Sequence, residues 1–535
     1  MHIPKDVLDD SEMRKELGKK SLKHFAAVYF PELFKFEIPK FHHKWYRLLS
    51  FRDFSKKTIF KFLVLVGFRD SAKTSLAKIK VVRDICYKRK KLIGYVCFEK
   101  ESSGAALFDV ATWLQTNPFI LKDFGELFKS SDASNAPEKK TINNFVTNNG
   151  VKLTAMSIRQ SVRGKIFEFQ RPDCYVIDDF ENNITKRSGA LTRKAIDFFK
   201  ELIPGLAPNA EVIFVCNKIS DIGSVQWLLD TAENNPDFRV SEVPVIQNGK
   251  SVWPERFVLT DEEAAKINAH ILDPDAKIVS LESLKRSMNA DGQLTFEQEM
   301  LLQPLVEGER FFDTKKIDTR IEVLKNKKWQ SNDPQKEDYF VDSGDWKTWI
   351  GAYKLDHEYV IGADVSEGYG RDSSVIQVLD ITTGDQVKEF ESNRCPPAIL
   401  AKLIYDEGKT AGHCRVAPER NSIGVAVITE LRSLDYPEIY REKTIDKVSD
   451  RPVHKYGWQT NSKTKATMLF EFKRDFEAGH IGINSLPLLR EMRNYTKEEV
   501  TTVSFDPEMS QHFDRVIAMA IAWQMRKHLP IRGFA

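Results

Sequence analysis

The stretch from Ile59 to Lys91 constrains the fold of this 535-residue chain more than any other. It opens with IFKFLVLV (Ile59–Val66), a nearly continuous apolar run rich in β-branched residues, which suits a strand buried on both faces. GFRDSAKTS (Gly67–Ser75) follows. In the next segment Leu76, Ile79, Val82 and Ile85 recur at near-helical spacing, which predicts a helix. Strand, tight loop and helix form the setting of a phosphate-binding loop, whose backbone N–H groups cradle phosphates at the helix N-terminus. Gly67, Arg69, Asp70, Ser71, Ala72, Lys73, Thr74 and Ser75 are the candidate nucleotide-binding residues. Lys73 would reach the β- and γ-phosphates, and Thr74 would place its hydroxyl on Mg²⁺. The loop departs from the standard pattern at Ala72, where a second glycine is expected, and it carries Arg69 inside. A strand–helix turn with a surface lysine is the competing reading.

A second element weighs against that alternative. In DCYVIDDFEN (Asp173–Asn182) a short apolar strand ends in Asp178 and Asp179. An acid at the end of a neighbouring strand holds Mg²⁺ in this class of nucleoside triphosphatase. Asp178 is assigned to the metal and Asp179 to the attacking water, with Glu181 as the fallback for the second role. GYVCF, VKLTAM and EVIFVC read as further strands, the last ending at Asn217, and RKAIDFFKELI reads as a helix. The alternation predicts a doubly wound α/β fold with ligands at the carboxyl ends of strands. Asn217 is then placed to sense the γ-phosphate or simply to terminate a strand. In RQSVRGK, Arg163 precedes a glycine, as a surface arginine or as one offered to a neighbouring subunit's phosphate.

The second half carries three spaced carboxylates. YVIGADVSEGYGRDSSVIQVLD (Tyr359–Asp380) reads as strand, glycine-rich turn and strand, with Asp364 closing the first. CRVAPERNSIG (Cys414–Gly424) reads as a strand ending in Glu419 and then a helix. HFDRVIAMAIAW (His512–Trp523) opens a C-terminal helix with Asp514 in its first turn, where a favourable helix-dipole charge is the alternative. Oxygen ligands in such a cluster suit Mg²⁺ or Mn²⁺, and two such ions can clamp a phosphodiester. Asp372 is placed just outside that shell. Six cysteines (Cys86, Cys97, Cys174, Cys216, Cys395, Cys414) form no CxxC pair and suggest neither a zinc site nor a disulfide framework. A net charge of +3 argues against a protein that coats DNA passively, while leaving room for a local basic groove. No apolar run is long enough for a bilayer span, and MHIPKDVLDDSEMRKELGKK has no apolar core of a secretory signal.

Taken in order, these motifs resemble the large terminase subunit of tailed bacteriophages, over most of the chain from Phe41 to Trp523. Arg69 and Lys73 have the spacing of that family's variant phosphate loop, Asp178 and Asp179 match its acidic strand end, Arg163 its arginine finger, and the region of Asn217 its coupling segment. Phe41 and His42, in PKFHHKWYRLL, are the closest equivalents of the residues that contact adenine. FEQEMLLQP (Phe296–Pro304) looks like the end of the ATPase domain. Asp364, Glu419 and Asp514 fall in the three nuclease motifs, and KYGWQTNSKTK (Lys455–Lys465) resembles a DNA-facing stretch. The resemblance implies an N-terminal P-loop ATPase of the additional-strand type (1–311), a linker (312–347) and a C-terminal ribonuclease-H-like nuclease (348–535). It implies ATP with Mg²⁺ at one site and two Mg²⁺ or Mn²⁺ at the other. The implied partners are double-stranded DNA, a portal and procapsid, and a small terminase subunit, with no membrane. A ring-shaped homo-oligomer is implied during packaging, with a monomer in solution left open, in the host cytoplasm and outside the mature virion. A helicase–nuclease of repair or defence is the runner-up.

Overall fold

The computed structural model describes residues 3–53, 58–128, 142–160, 168–182, 189–233, 235–290, 295–303, 310–331, 333, 335–336, 338–368, 373–421, 423–445, 452–501 and 513–528. Two compact units emerge: Met1–Lys186 with Leu191–Leu305, and Arg187–Ala190 with Val306–Ala535. No helix among the described residues is long and apolar enough to cross a membrane.

The first unit is built on β1 (Phe62–Gly67), β2 (Leu92–Cys97), β3 (Asn144–Val146), β4 (Lys152–Ser157), β5 (Cys174–Asp178), β6 (Glu211–Cys216) and β7 (Phe238–Val243). Their order in the sheet is β3-β4-β2-β5-β6-β1-β7, parallel except where β3 meets β4. The apolar runs are explained by burial on both faces. Leu63 and Leu65 of β1 pack into one core, and Phe62, Val64 and Val66 into the other. Helices α1 (Lys40–Leu48) and α2 (Lys73–Cys86) lie on the first of these faces, and Leu76, Ile79, Val82 and Ile85 of α2 are all buried in it. A third helix, α3 (Ser224–Glu233), follows β6. The decisive point of topology is that β6 sits between the loop-bearing β1 and the acidic β5. That inserted strand is the additional strand of the expected fold.

In the second unit, the residues between 312 and 347 carry local structure, as their polar, charged sequence allows. They form α4 (Thr314–Asn326) and the short strands β8 (Val341–Asp342) and β9 (Trp346–Thr348). The strands extend a sheet with β10 (Tyr359–Asp364), β11 (Ser374–Asp380), β12 (Asp385–Ser392) and β13 (Arg415–Pro418), in the order β8-β9-β12-β11-β10-β13. An antiparallel meander, β10 to β12, is flanked at β10 by the parallel β13. This is the strand plan of a ribonuclease-H-like fold. Around it lie α5 (Gly424–Ser433), α6 (Ser462–Glu477), α7 (Leu486–Asn494) and α8 (Asp514–Met525). Gly362 shows how closely α8 approaches. A Cβ at this position would stand 2.4 Å from Ala518 O and 2.4 Å from Ala522 N. Glycine in the strand and alanines in the helix let the two backbones touch.

Candidate functional sites

The first site forms where β1, β5 and β6 end side by side. The loop after β1 turns through Asp70 (φ 67°) and Ala72 (φ 63°), both left-handed, and Lys73 begins α2. Ala72 thus takes the conformation that glycine would adopt freely, at a cost of about 1 kcal/mol. Gly67 is needed for space: a Cβ there would fall 2.7 Å from Ser71 Oγ and 2.8 Å from the Trp45 ring. Ser71 is buried, and its Oγ has no hydrogen-bond partner among the described residues. Among the described residues Lys73 Nζ reaches only Phe68 O, at 3.5 Å. An unsatisfied hydroxyl and a weakly held ammonium inside a turn at a helix N-terminus fit phosphate oxygens. Arg69 and Asp70 are exposed, and Thr74 and Ser75 half-buried.

Across the gap, Thr74 Oγ1 donates to Asp178 Oδ1 at 3.1 Å, and Tyr95 Oη from β2 donates to Asp178 Oδ2 at 2.6 Å. Burial, then the charge of Asp179, pushes the Asp178 carboxyl up to about 6 against the opposing pull of Tyr95, Thr74 and Lys73. A hydroxyl and a carboxylate in contact beside the loop match the donor set that Mg²⁺ takes up. Asp179 is exposed with φ 46°, its N–H bonded to Val215 O. Asp178, Asp179 and Thr74 line a common cavity of about 260 Å³. Glu181 does not line it. This carboxylate is buried at the start of α3, where it accepts from Ser224 Oγ at 3.2 Å. Of the two acids considered for the water, Asp179 is the one on the cavity.

Phe41 and His42 on α1 are buried behind the loop. Phe41 is edge-on to Trp45 and Phe68, and His42 Nε2 lies 2.7 Å from Ser71 O. Burial lowers the His42 imidazole to about 4, so it is neutral and donates from Nε2 to the loop carbonyl. In this arrangement the pair braces the loop. Arg256 was not visible as a site residue in sequence. Its Nη1 donates to Asp70 O at 3.0 Å while its guanidinium lies over the Trp253 ring. Asn217, just past β6, donates to Glu299 Oε2 at 2.6 Å. Arg163 lies outside the described residues.

The second site gathers at the end of β10. Asp364 closes that strand, and Glu419 follows β13, its N–H bonded to Ala363 O at 2.8 Å. Asp364 is held well above the usual carboxylate range by burial first, then by the charges of Glu419 and Asp514 and a hydrogen bond with Glu419. That mutual repulsion is what bound cations relieve. Asn421 donates to both Glu419 Oε2 and Val365 O, orienting the Glu419 carboxylate. Asp514 starts α8 and accepts from Ser373 N at 3.2 Å. Next to it, half-buried Arg515 pairs with Glu391 and, at 2.7 Å, with Glu491. Glu491 Oε2 also accepts from the Arg515 and Val516 N–H groups, fixing the first turn of α8. Lys465, at the end of the KYGWQTNSKTK motif, is buried on α6; burial lowers its ammonium, and the charges of Glu499, Glu419 and Asp364 work against that. Among the described residues no three His, Cys, Asp or Glu side chains already form a metal-ligand shell. Asp364, Glu419 and Asp514 lie near enough for the charges of the last two to act on the first. Asp372 lies outside the described residues.

No family model matches the chain. It is similar to solved structures of phage large terminases. One is the HK97 bacteriophage large terminase, at 12% identity over 91% of this chain and 94% of that chain, with a TM-score of 0.43. Another is the large terminase nuclease from thermophilic phage G20c with bound magnesium, at 20% identity over 35% and 89%, with a TM-score of 0.27. A third is a Thermus phage P74-26 large terminase ATPase domain, at 14% identity over 49% and 98%, with a TM-score of 0.25. These likenesses are low in identity and in superposition, and the roles of individual residues rest on the geometry above.

Proposed function

We propose that the chain is a DNA-packaging motor–nuclease: an ATPase that drives double-stranded DNA into a procapsid, joined to a metal-dependent endonuclease that cuts concatemers. The observation that carries the ATPase half is the contact between Thr74 and Asp178, which brings a loop hydroxyl and a strand-end carboxylate together across the additional strand. Lys73 and the unpartnered Ser71 hydroxyl would bind phosphate, Thr74 and Asp178 would hold Mg²⁺, and Asp179 would orient water. Mg²⁺ there supplies charge neutralisation for phosphoryl transfer. Arg163 is proposed as the residue offered between subunits of a ring, with a portal and a small terminase subunit as partners. In the second unit Asp364, Glu419 and Asp514 would hold divalent ions, which polarise a phosphodiester.

The test is protection of DNA inside procapsids, with and without ATP. Protection that requires ATP, lost in Lys73→Ala and kept in Asp364→Asn, is expected. Metal-dependent cutting should show the opposite pattern. Strand separation without protection would move the assignment to a helicase–nuclease.

A further inference from the structure

Glu299 stands at an unusual crossing in the first unit. It ends the short helix Thr295–Glu299, six residues before the last residue of the unit. Its backbone oxygen accepts two hydrogen bonds: from Arg69 N in the phosphate loop at 2.9 Å, and from Asn217 Nδ2 at 3.2 Å. Its carboxylate accepts from the same Asn217 nitrogen at 2.6 Å. One residue therefore ties the first turn of the loop to the end of the additional strand. The neighbouring Met300 O accepts from Val245 N at 2.8 Å, which anchors the segment just past β7. Asn217 Oδ1 is buried with no partner among the described residues, which hold the amide from its nitrogen side.

The charge on Glu299 is the informative part. Cys216 is the partner of Val66 across the β1–β6 pair, so Asn217 lies level with Gly67, where the loop begins. A fixed anion near a phosphate-binding loop opposes nucleotide binding by Coulomb repulsion, and a neutral glutamine would orient Asn217 without that penalty. An ionised acceptor instead makes a stronger bond to the amide. Once a γ-phosphate lies at the loop, the Asn217 amide has two competing anionic acceptors. We propose that Glu299 is a positioning residue of the ATPase site, which sets the orientation of Asn217 relative to the loop and so governs hydrolysis more than nucleotide affinity. The inference rests on the ATPase reading above.

The experiment is a double-mutant cycle on the full chain, reading kcat and KM for ATP, affinity for a fluorescent ATP analogue, and thermal unfolding. Asn217→Ala and Glu299→Ala are each expected to lower kcat roughly tenfold, with nucleotide affinity within about twofold of the parent. The double variant should be no slower than the slower single variant. Glu299→Gln, which still offers an acceptor oxygen but lacks the charge, should recover only part of the lost rate, with unchanged unfolding. Additive losses, or a fall in affinity that accounts for the loss of rate, would overturn the role of Glu299. So would equal impairment of the Gln and Ala variants. A parent protein that hydrolyses no ATP would overturn the ATPase reading itself, and this inference with it.

Discussion

Tyr95 Oη donates to Asp178 Oδ2 at 2.6 Å from the strand next to β5, leaving Asp178 Oδ1 facing Thr74. The pair faces each other because Tyr95 is the register partner of Val176, two residues before the acid. Burial raises Asp178, and the tyrosine bond is the largest of the effects that lower it again. Tyr95→Phe keeps the ring and removes that support. The expected result is an ATPase that needs roughly tenfold more Mg²⁺ for half-maximal rate, in the range seen when a group supporting a metal ligand is lost. An unchanged Mg²⁺ titration would show that the hydroxyl does not support the proposed role of Asp178.

Ala72 gives a prediction of opposite sign. Its left-handed backbone is strained for any residue with a Cβ. Ala72→Gly should stabilise the folded first unit by about 1 kcal/mol, less the extra freedom glycine brings to the unfolded chain. Ala72→Val, β-branched in the same conformation, should destabilise it. Denaturant titration of both variants reads the two signs directly.

Glu181 should make stability pH-dependent. Burial pushes its carboxyl up to about 7 from an ordinary 4.5, so the folded state keeps the proton over a range in which the unfolded chain has lost it. Its contribution is fully present below 4.5 and is lost as pH rises through about 7, a decline on the order of 3 kcal/mol. Glu181→Gln should flatten that part of the stability–pH curve and unfold later than the parent at pH 8. Parallel curves for the two proteins would place Glu181 in water-exposed surroundings instead.

What was legible in the sequence follows burial. The strands β1, β2, β5 and β6 are buried along their length, so they spell continuous apolar runs, and the loop and acids at their ends could be read from position alone. The strand β7, FRVSEV, was not legible: as an edge strand it mixes buried and exposed positions. The strand β12, DQVKEFES, hides for another reason. Its Glu389 is almost fully buried, satisfied by Gln377 at 2.8 Å and Ser485 at 2.9 Å, so a core strand carries the composition of a surface one. Tyr95 and Arg256 have no local mark of a site, and Glu299 lies in FEQEMLLQP, which the sequence presents only as the end of the ATPase domain. Each acts through partners more than 80 residues away, which only the folded register supplies.

The second site depends on contact between two backbones, and Gly362 is where that contact can be tested. It lies on β10 two residues before Asp364, against Ala518 and Ala522 of the helix that Asp514 begins. In Gly362→Ala the new methyl would meet Ala518 O and Ala522 N at 2.4 Å and Ala522 Cα at 2.8 Å, all main-chain atoms that no rotamer change can move. The helix must therefore shift away from the strand. Overpacking of this kind costs about 1–3 kcal/mol, within what a folded unit tolerates. The shift would carry Asp514 away from Asp364 and Glu419, whose charges now act on one another. The expected result is a folded protein that hydrolyses ATP at the parent rate and cuts DNA at least tenfold more slowly, because displacement of a ligand by about 1 Å is enough to lose that much rate. High Mn²⁺ should restore part of the cutting, which it is not expected to do for Asp364→Asn, where the carboxylate itself is gone. Full cutting by a normally folded Gly362→Ala protein would mean that Asp514 is not part of the nuclease centre, and that its place at the head of the helix serves only the helix dipole.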